Sequence, residues 1–147
     1  MIRVEIERIH GDYGFEARDA LGHSVRLDTS PDTGGDNFGV RPMQMLLLGL
    51  GACSGIDIIS ILKKQRLKVE SYKAIIEGER EKDVEPSLWT KINVQFFLEG
   101  NIDNDKARRA CQLSIEKYCS VAETLRRAGA ELNWTVAVNN KQVQLES

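Results

Sequence analysis

The chain has 147 residues, 41% of them hydrophobic, with 20 Lys and Arg set against 22 Asp and Glu for a formal charge of −2. That length buries one core without disulfide staples or a structural metal. The near-balanced charge provides no field to attract nucleic acid or anionic lipid. A single domain over residues 1–147 is expected, with neither nucleic acid nor membrane as a partner.

The N-terminus, MIRVEIERIHG, alternates charge with apolar residues and lacks the continuous apolar run of a secretory signal, which points to the cytoplasm. Within it, Ile2, Val4 and Ile6 share one face and Arg3, Glu5 and Glu7 the other, the period of a half-buried strand. Turn signals at His10-Gly11-Asp12 and Leu21-Gly22-His23 predict two further strands in a meander. Ser30 to Gly39 reads as a loop.

Pro42 suits a first helical position, and Met43 to Lys64 is apolar almost throughout, predicting a long central helix buried nearly all round. Twenty mostly apolar residues also reach the length of a bilayer span. Gln44 and Asp57 inside the segment favour a buried helix. Next come two strands, VESYKAIIEGE and TKINVQFFLEG, joined by a charged loop with Pro86 and expected to pair antiparallel. A second helix is predicted from Asp103 to about Ala128, with Ala107, Cys111, Ile115, Tyr118, Ala122 and Leu125 at helical spacing. Asp103 or Asn104 caps it and Gly129 ends it. A last strand carries Leu132, Trp134, Val136 and Val138 on one face. The fold class is α+β, with no internal repeat.

Three cysteines form no structural framework, and in a cytosolic chain disulfides are usually catalytic or transient. Cys53 lies in Gly49-Leu50-Gly51-Ala52-Cys53-Ser54-Gly55. Glycine inside a helix costs roughly 1 kcal/mol relative to alanine, so three in seven positions need a reason. Either the helix packs tightly around an inert cysteine, or a pocket is built over the sulfur. Cys119 sits one position beside the apolar stripe of the second helix and can face the first. Cys111, eight residues earlier on a continuous helix, would lie about 12 Å away, too far to bond with Cys119. An acid follows each candidate thiol by four residues, Asp57 after Cys53 and Glu123 after Cys119. Carboxylates oppose thiolates by like-charge repulsion, so a reactive Cys53 calls for a cation, with Arg26, Arg41 and Arg80 as candidates.

The run from Pro42 to Lys64 resembles the central helix of the OsmC/Ohr family, and Ser114-Ile115-Glu116-Lys117-Tyr118-Cys119-Ser120-Val121 resembles its second cysteine motif. The order of strands and helices agrees over nearly the whole chain, and the closest resemblance is to the OsmC-like, YhfA-type branch. The resemblance implies an intertwined homodimer with the long helices at its centre and an active site near the subunit interface. It implies that Cys53 attacks a hydroperoxide, that Cys119 resolves the sulfenic acid to a disulfide, and that a dithiol such as a lipoyl group reduces it. That chemistry needs no metal and no bound cofactor. The resemblance also favours Cys111 as a packing residue. Organic-hydroperoxide members carry a glutamate just after the helix-opening proline and an arginine in the N-terminal hairpin. Here those positions hold Met43 and Asp12.

The leading expectation is therefore a thiol-dependent peroxidase acting in oxidative-stress defence. A second reading is a metal site built from Cys53, Asp57, Cys119 and Glu123. A third is a binding protein that uses the Gly49–Gly55 notch as an apolar pocket.

Overall fold

The computed structural model describes residues 1–145. The chain divides into two compact units, Met1–Leu46 and Leu47–Ser147. The first unit is a meander of β1 (Val4–His10), β2 (Gly14–Asp19) and β3 (Ser24–Leu27), all antiparallel. The predicted strands are present, but β1 is exposed along its whole length, with Val4 at 63% and Ile6 at 64%. The half-burial expected from its alternation is absent, because β1 pairs only with β2 and no element of its own unit covers its apolar face. The Ser30–Gly39 loop folds around Asp28, whose buried carboxylate accepts from the N–H groups of Thr29, Asp36 and Phe38. Those amides, Asp36 first, hold the Asp28 carboxyl below its ordinary range.

The helix α1 (Pro42–Lys64) begins at the proline as predicted and runs through the boundary between the units. In the second unit β4 (Ser71–Arg80) and β5 (Trp89–Glu99) pair antiparallel. β5 also pairs in parallel with β6 (Glu131–Val138), and a short β7 (Lys141–Gln142) closes the sheet. The register places Tyr72, Ala74, Ile76 and Gly78 opposite Leu98, Phe96, Val94 and Ile92. Those β5 residues stand beside Val138, Val136, Trp134 and Leu132 in turn. One apolar face results, and α1 lies on it.

The glycines of α1 permit that approach. A Cβ on Gly51 would lie 2.7 Å from Ile76 Cδ1, and one on Gly55 would lie 2.7 Å from the Tyr72 ring. The Tyr72 hydroxyl donates to the Gly51 carbonyl at 2.7 Å. Part of the notch thought able to hold a ligand is therefore filled by the sheet's own side chains. Nor is α1 buried all round: Leu50, Gly51, Ser54, Gly55, Ile58 and Leu62 are buried, whereas Leu48 and Ile56 are 53% and 68% exposed. By length and composition alone this helix is apolar enough to cross a bilayer.

The predicted second helix is interrupted. It consists of α2 (Asn104–Leu113), capped by Asp103 as expected, a π-helical turn (Ser114–Tyr118), and α3 (Ser120–Arg127). Cys119 lies in the break with extended backbone, φ −72° and ψ 109°. A π turn takes an extra residue per turn and shifts every following side chain around the axis. Tyr118, expected on the core stripe, is turned out to 51% exposure, and Cys119 enters the core at 3%.

Different outcomes are expected for the two glycines. Gly55→Ala drives a methyl into a ring fixed by its own hydrogen bond, so overpacking of about 1–3 kcal/mol exceeds the gain of about 1 kcal/mol in helix propensity. Gly51→Ala crowds only the mobile end of Ile76, with Ala74 Cβ at an ordinary 3.9 Å, and is expected to be near neutral. Urea denaturation of both variants checks this, and equal stabilities would contradict it.

Candidate active site

Three positions one turn apart on α1 face three positions on the interrupted helix. Gly49 meets Val121, where a Cβ would lie 3.9 Å from Cγ2. Cys53 meets Cys119, and Asp57 meets Ser114. The Cys53 and Cys119 sulfurs and an Asp57 oxygen all lie within 4.8 Å of one another. Both thiols are free. Cys53 and Asp57 are half-buried, and Cys119 is buried. The structure thus brings together the two cysteines singled out in the sequence and leaves the fully buried Cys111 outside the cluster.

The break shapes the environment of Cys119. As N-cap of α3, its sulfur accepts from the Ala122 N–H at 3.4 Å, and the Ser54 hydroxyl donates to it at 3.5 Å. Burial pushes the Cys119 thiol above its ordinary pKa. Ser54 and Ala122 pull the other way, and neighbouring Cys53 adds to the rise. Burial alone pushes Cys111 up to about 12. Buried Ser114 lies within hydrogen-bonding reach of Asp57 Oδ2 at 3.0 Å and the Ser54 carbonyl at 3.3 Å, and its single proton serves one of them at a time. Arg126 secures the break by donating to the Ile115 carbonyl at 2.7 Å. Ser54, Ser114 and Arg126 were not singled out from the sequence, although Ser54 and Ser114 lie inside the two cysteine motifs.

Glu123 does not join the cluster, so the four-ligand metal set is reduced to three. It pairs instead with Arg127 at 3.0 Å and Arg126 at 2.6 Å, which in that order hold its carboxyl below the ordinary range. Those partners stand three and four residues on in the sequence, a legible helical pairing. The three arginines considered for Cys53 have other engagements. Arg26 lies over Phe38, Arg41 binds the Gly39 carbonyl and Asn37, and Arg80 binds the Ser87 carbonyl and lies over Trp89. Beside Asp57 opens a cleft of about 550 Å³, lined by Ser60, Ile61, Lys64, Gln65, Leu113 and Tyr118.

The family description OsmC-like protein matches residues 34–135, a span that contains the whole thiol cluster. The chain belongs to the OsmC-like family. It is 40% identical over 115 residues to protein YhfA of Escherichia coli K12, covering 78% of this chain and 82% of that one. A hypothetical protein from Aquifex aeolicus VF5 superposes with a TM-score of 0.77 at 27% identity, covering 95% and 98% of the two chains. An organic hydroperoxide resistance protein from Legionella pneumophila shares the fold at a TM-score of 0.71 and 16% identity, covering 94% and 97%. The α+β class and the family read from the two cysteine motifs are thereby borne out.

Exposure and burial fix an order of reactivity in this OsmC-like chain. With limiting iodoacetamide at neutral pH, Cys53 is expected to be alkylated first, Cys119 more slowly, and Cys111 only after unfolding. Peptide mapping reads the order; early labelling of Cys111 would contradict the structure.

Proposed function

We propose that this OsmC-like protein is a thiol-dependent peroxidase that reduces organic hydroperoxides through Cys53 and Cys119 in oxidative-stress defence. The observation that carries the reading is the meeting of a half-buried and a buried thiol within 4.8 Å, on elements that can close the remaining distance. Family membership supports it, as does the shared fold of a protein described as conferring organic hydroperoxide resistance.

The Cys53 thiolate attacks the terminal peroxide oxygen, the O–O bond breaks, and the alcohol leaves with a proton as Cys53 becomes a sulfenic acid. The Cys119 sulfur then attacks Cys53, the S–S bond forms, and the hydroxyl leaves as water. An external dithiol, a lipoyl group for example, returns two electrons by thiol–disulfide exchange. Asp57 offers a proton acceptor within 4.8 Å of both sulfurs, and the Ser54 hydroxyl and Ala122 N–H stabilise Cys119 as it loses its proton. The organic group of the peroxide lies in the cleft, against Ile61, Leu113 and Tyr118. With Met43 and Asp12 where peroxidase relatives carry glutamate and arginine, turnover depends on these groups of α1 and the break.

The same reading makes the chain one functional domain of a cytoplasmic homodimer. α1 spans both compact units and leaves Leu48, Ala52, Ile56 and Ile59 as an exposed stripe, and a second copy covers it. Light scattering is expected to give twice the chain mass, and Ile56→Asp to give monomers. A monomeric parent protein would contradict the assembly.

Hydroperoxide consumption coupled to a lipoyl dithiol tests the activity. Cys53→Ser is expected to abolish it, whereas Cys119→Ser permits one turnover and accumulates a sulfenic acid that a dimedone-type probe traps. Full activity in Cys53→Ser would overturn the reading.

A further inference from the structure

The cluster that serves peroxide chemistry also has the composition of a metal site. Two sulfurs and one carboxylate oxygen converge within 4.8 Å. In a tetrahedral zinc site with Zn–S of about 2.3 Å and Zn–O of about 2.0 Å, neighbouring donors are about 3.5–3.8 Å apart, so modest side-chain rotation closes the cluster around an ion. The surrounding hydrogen bonds are those of ligands held in place. Ser114 reaches Asp57 Oδ2 and takes up at most one lone pair of the carboxylate, leaving others to coordinate. Ser54 and the Ala122 N–H aim at Cys119 Sγ, as donors do toward a metal-bound thiolate. Cys53 and Asp57 come from one face of α1, separated by four residues, and Cys119 comes from the break opposite, so the donors approach from two rigid elements. Both are half-buried, which leaves an exposed edge where water supplies a fourth ligand.

We propose that the reduced protein binds one zinc-class divalent ion per chain through Cys53, Asp57 and Cys119, and that this ion holds the thiol pair closed to peroxide. Binding stands on the geometry alone; the regulatory half rests on the peroxidase reading. Once the ion has dissociated, a hydroperoxide takes two electrons from the freed thiol pair, and the disulfide forms as the O–O bond breaks. Alcohol and water leave with the two thiol protons, and the ion does not rebind because a disulfide is no longer an anionic donor.

Cobalt(II) serves as the probe, because a tetrahedral thiolate site gives visible d–d bands and a near-ultraviolet sulfur-to-metal band. Titration of reduced, chelator-stripped protein is expected to saturate at one ion per chain, with zinc displacing cobalt. Both bands are expected to vanish in Cys53→Ser, and Asp57→Asn to weaken binding by on the order of 10-fold or more. Cys111→Ala is expected to bind normally. Circular dichroism confirms that each variant is folded, and loss in both Cys53→Ser and Asp57→Asn identifies the site even where Cys119→Ser is unstable. Absence of the sulfur band, or binding unchanged in Cys53→Ser, overturns the metal site. The regulatory half is tested separately: stoichiometric zinc is expected to suppress peroxide turnover by at least 10-fold and a chelator to restore it. Metal binding without any peroxidase activity in the stripped protein would sink the peroxidase reading and leave the metal site standing.

Discussion

The close approach of α1 to the sheet determines where everything else in the second unit sits. Gly51 and Gly55 omit the side chains that would hold the helix away from Ile76 and Tyr72, and the Tyr72 hydroxyl fastens the approach to the Gly51 carbonyl. With that face turned to the strands, the helical repeat turns Gly49, Cys53 and Asp57 toward the segment Ser114–Val121. The conformational penalty of glycine in a helix interior is thus offset by packing, and the packing orients Cys53.

On the opposite side, Cys119 reaches the site through an irregularity. A continuous helix would leave it beside the buried stripe, with Tyr118 inside. The π turn reverses those two, and the break gives Cys119 an N-cap role in which the Ala122 N–H faces its sulfur. The Ile115 carbonyl, freed because the Cys119 N–H bonds to Ser114 instead, is satisfied by Arg126. Backbone irregularities of this kind recur at functional sites because they re-aim a side chain without exposing unpaired polar groups.

Much of this was legible in the chain. Alternation in Ile92, Val94, Phe96 and Leu98 marked the core strand, Pro42 and Asp103 marked helix starts, and the two cysteine motifs marked the thiol pair and the family. The π turn was not legible: no proline or glycine interrupts residues 104–127, and the break arises from how Ser114 and Cys119 bond to α1 and to each other. Nor was the partial exposure of α1, since apolar character does not say how much of a helix the chain's own elements cover. Glu123 was misplaced for a different reason. Its spacing from Cys119 suggested a ligand, whereas its equally regular spacing from Arg126 and Arg127, the spacing of helical ion pairs, went unweighed.

The proposed chemistry requires Cys53 and Cys119 to act as a pair, and the direct measurement is disulfide mapping by mass spectrometry after one equivalent of an organic hydroperoxide meets the reduced, metal-free protein. A Cys53–Cys119 linkage, with Cys111 still a free thiol, is the predicted result. Both thiols remaining reduced in a folded protein, or a linkage through Cys111, would contradict it.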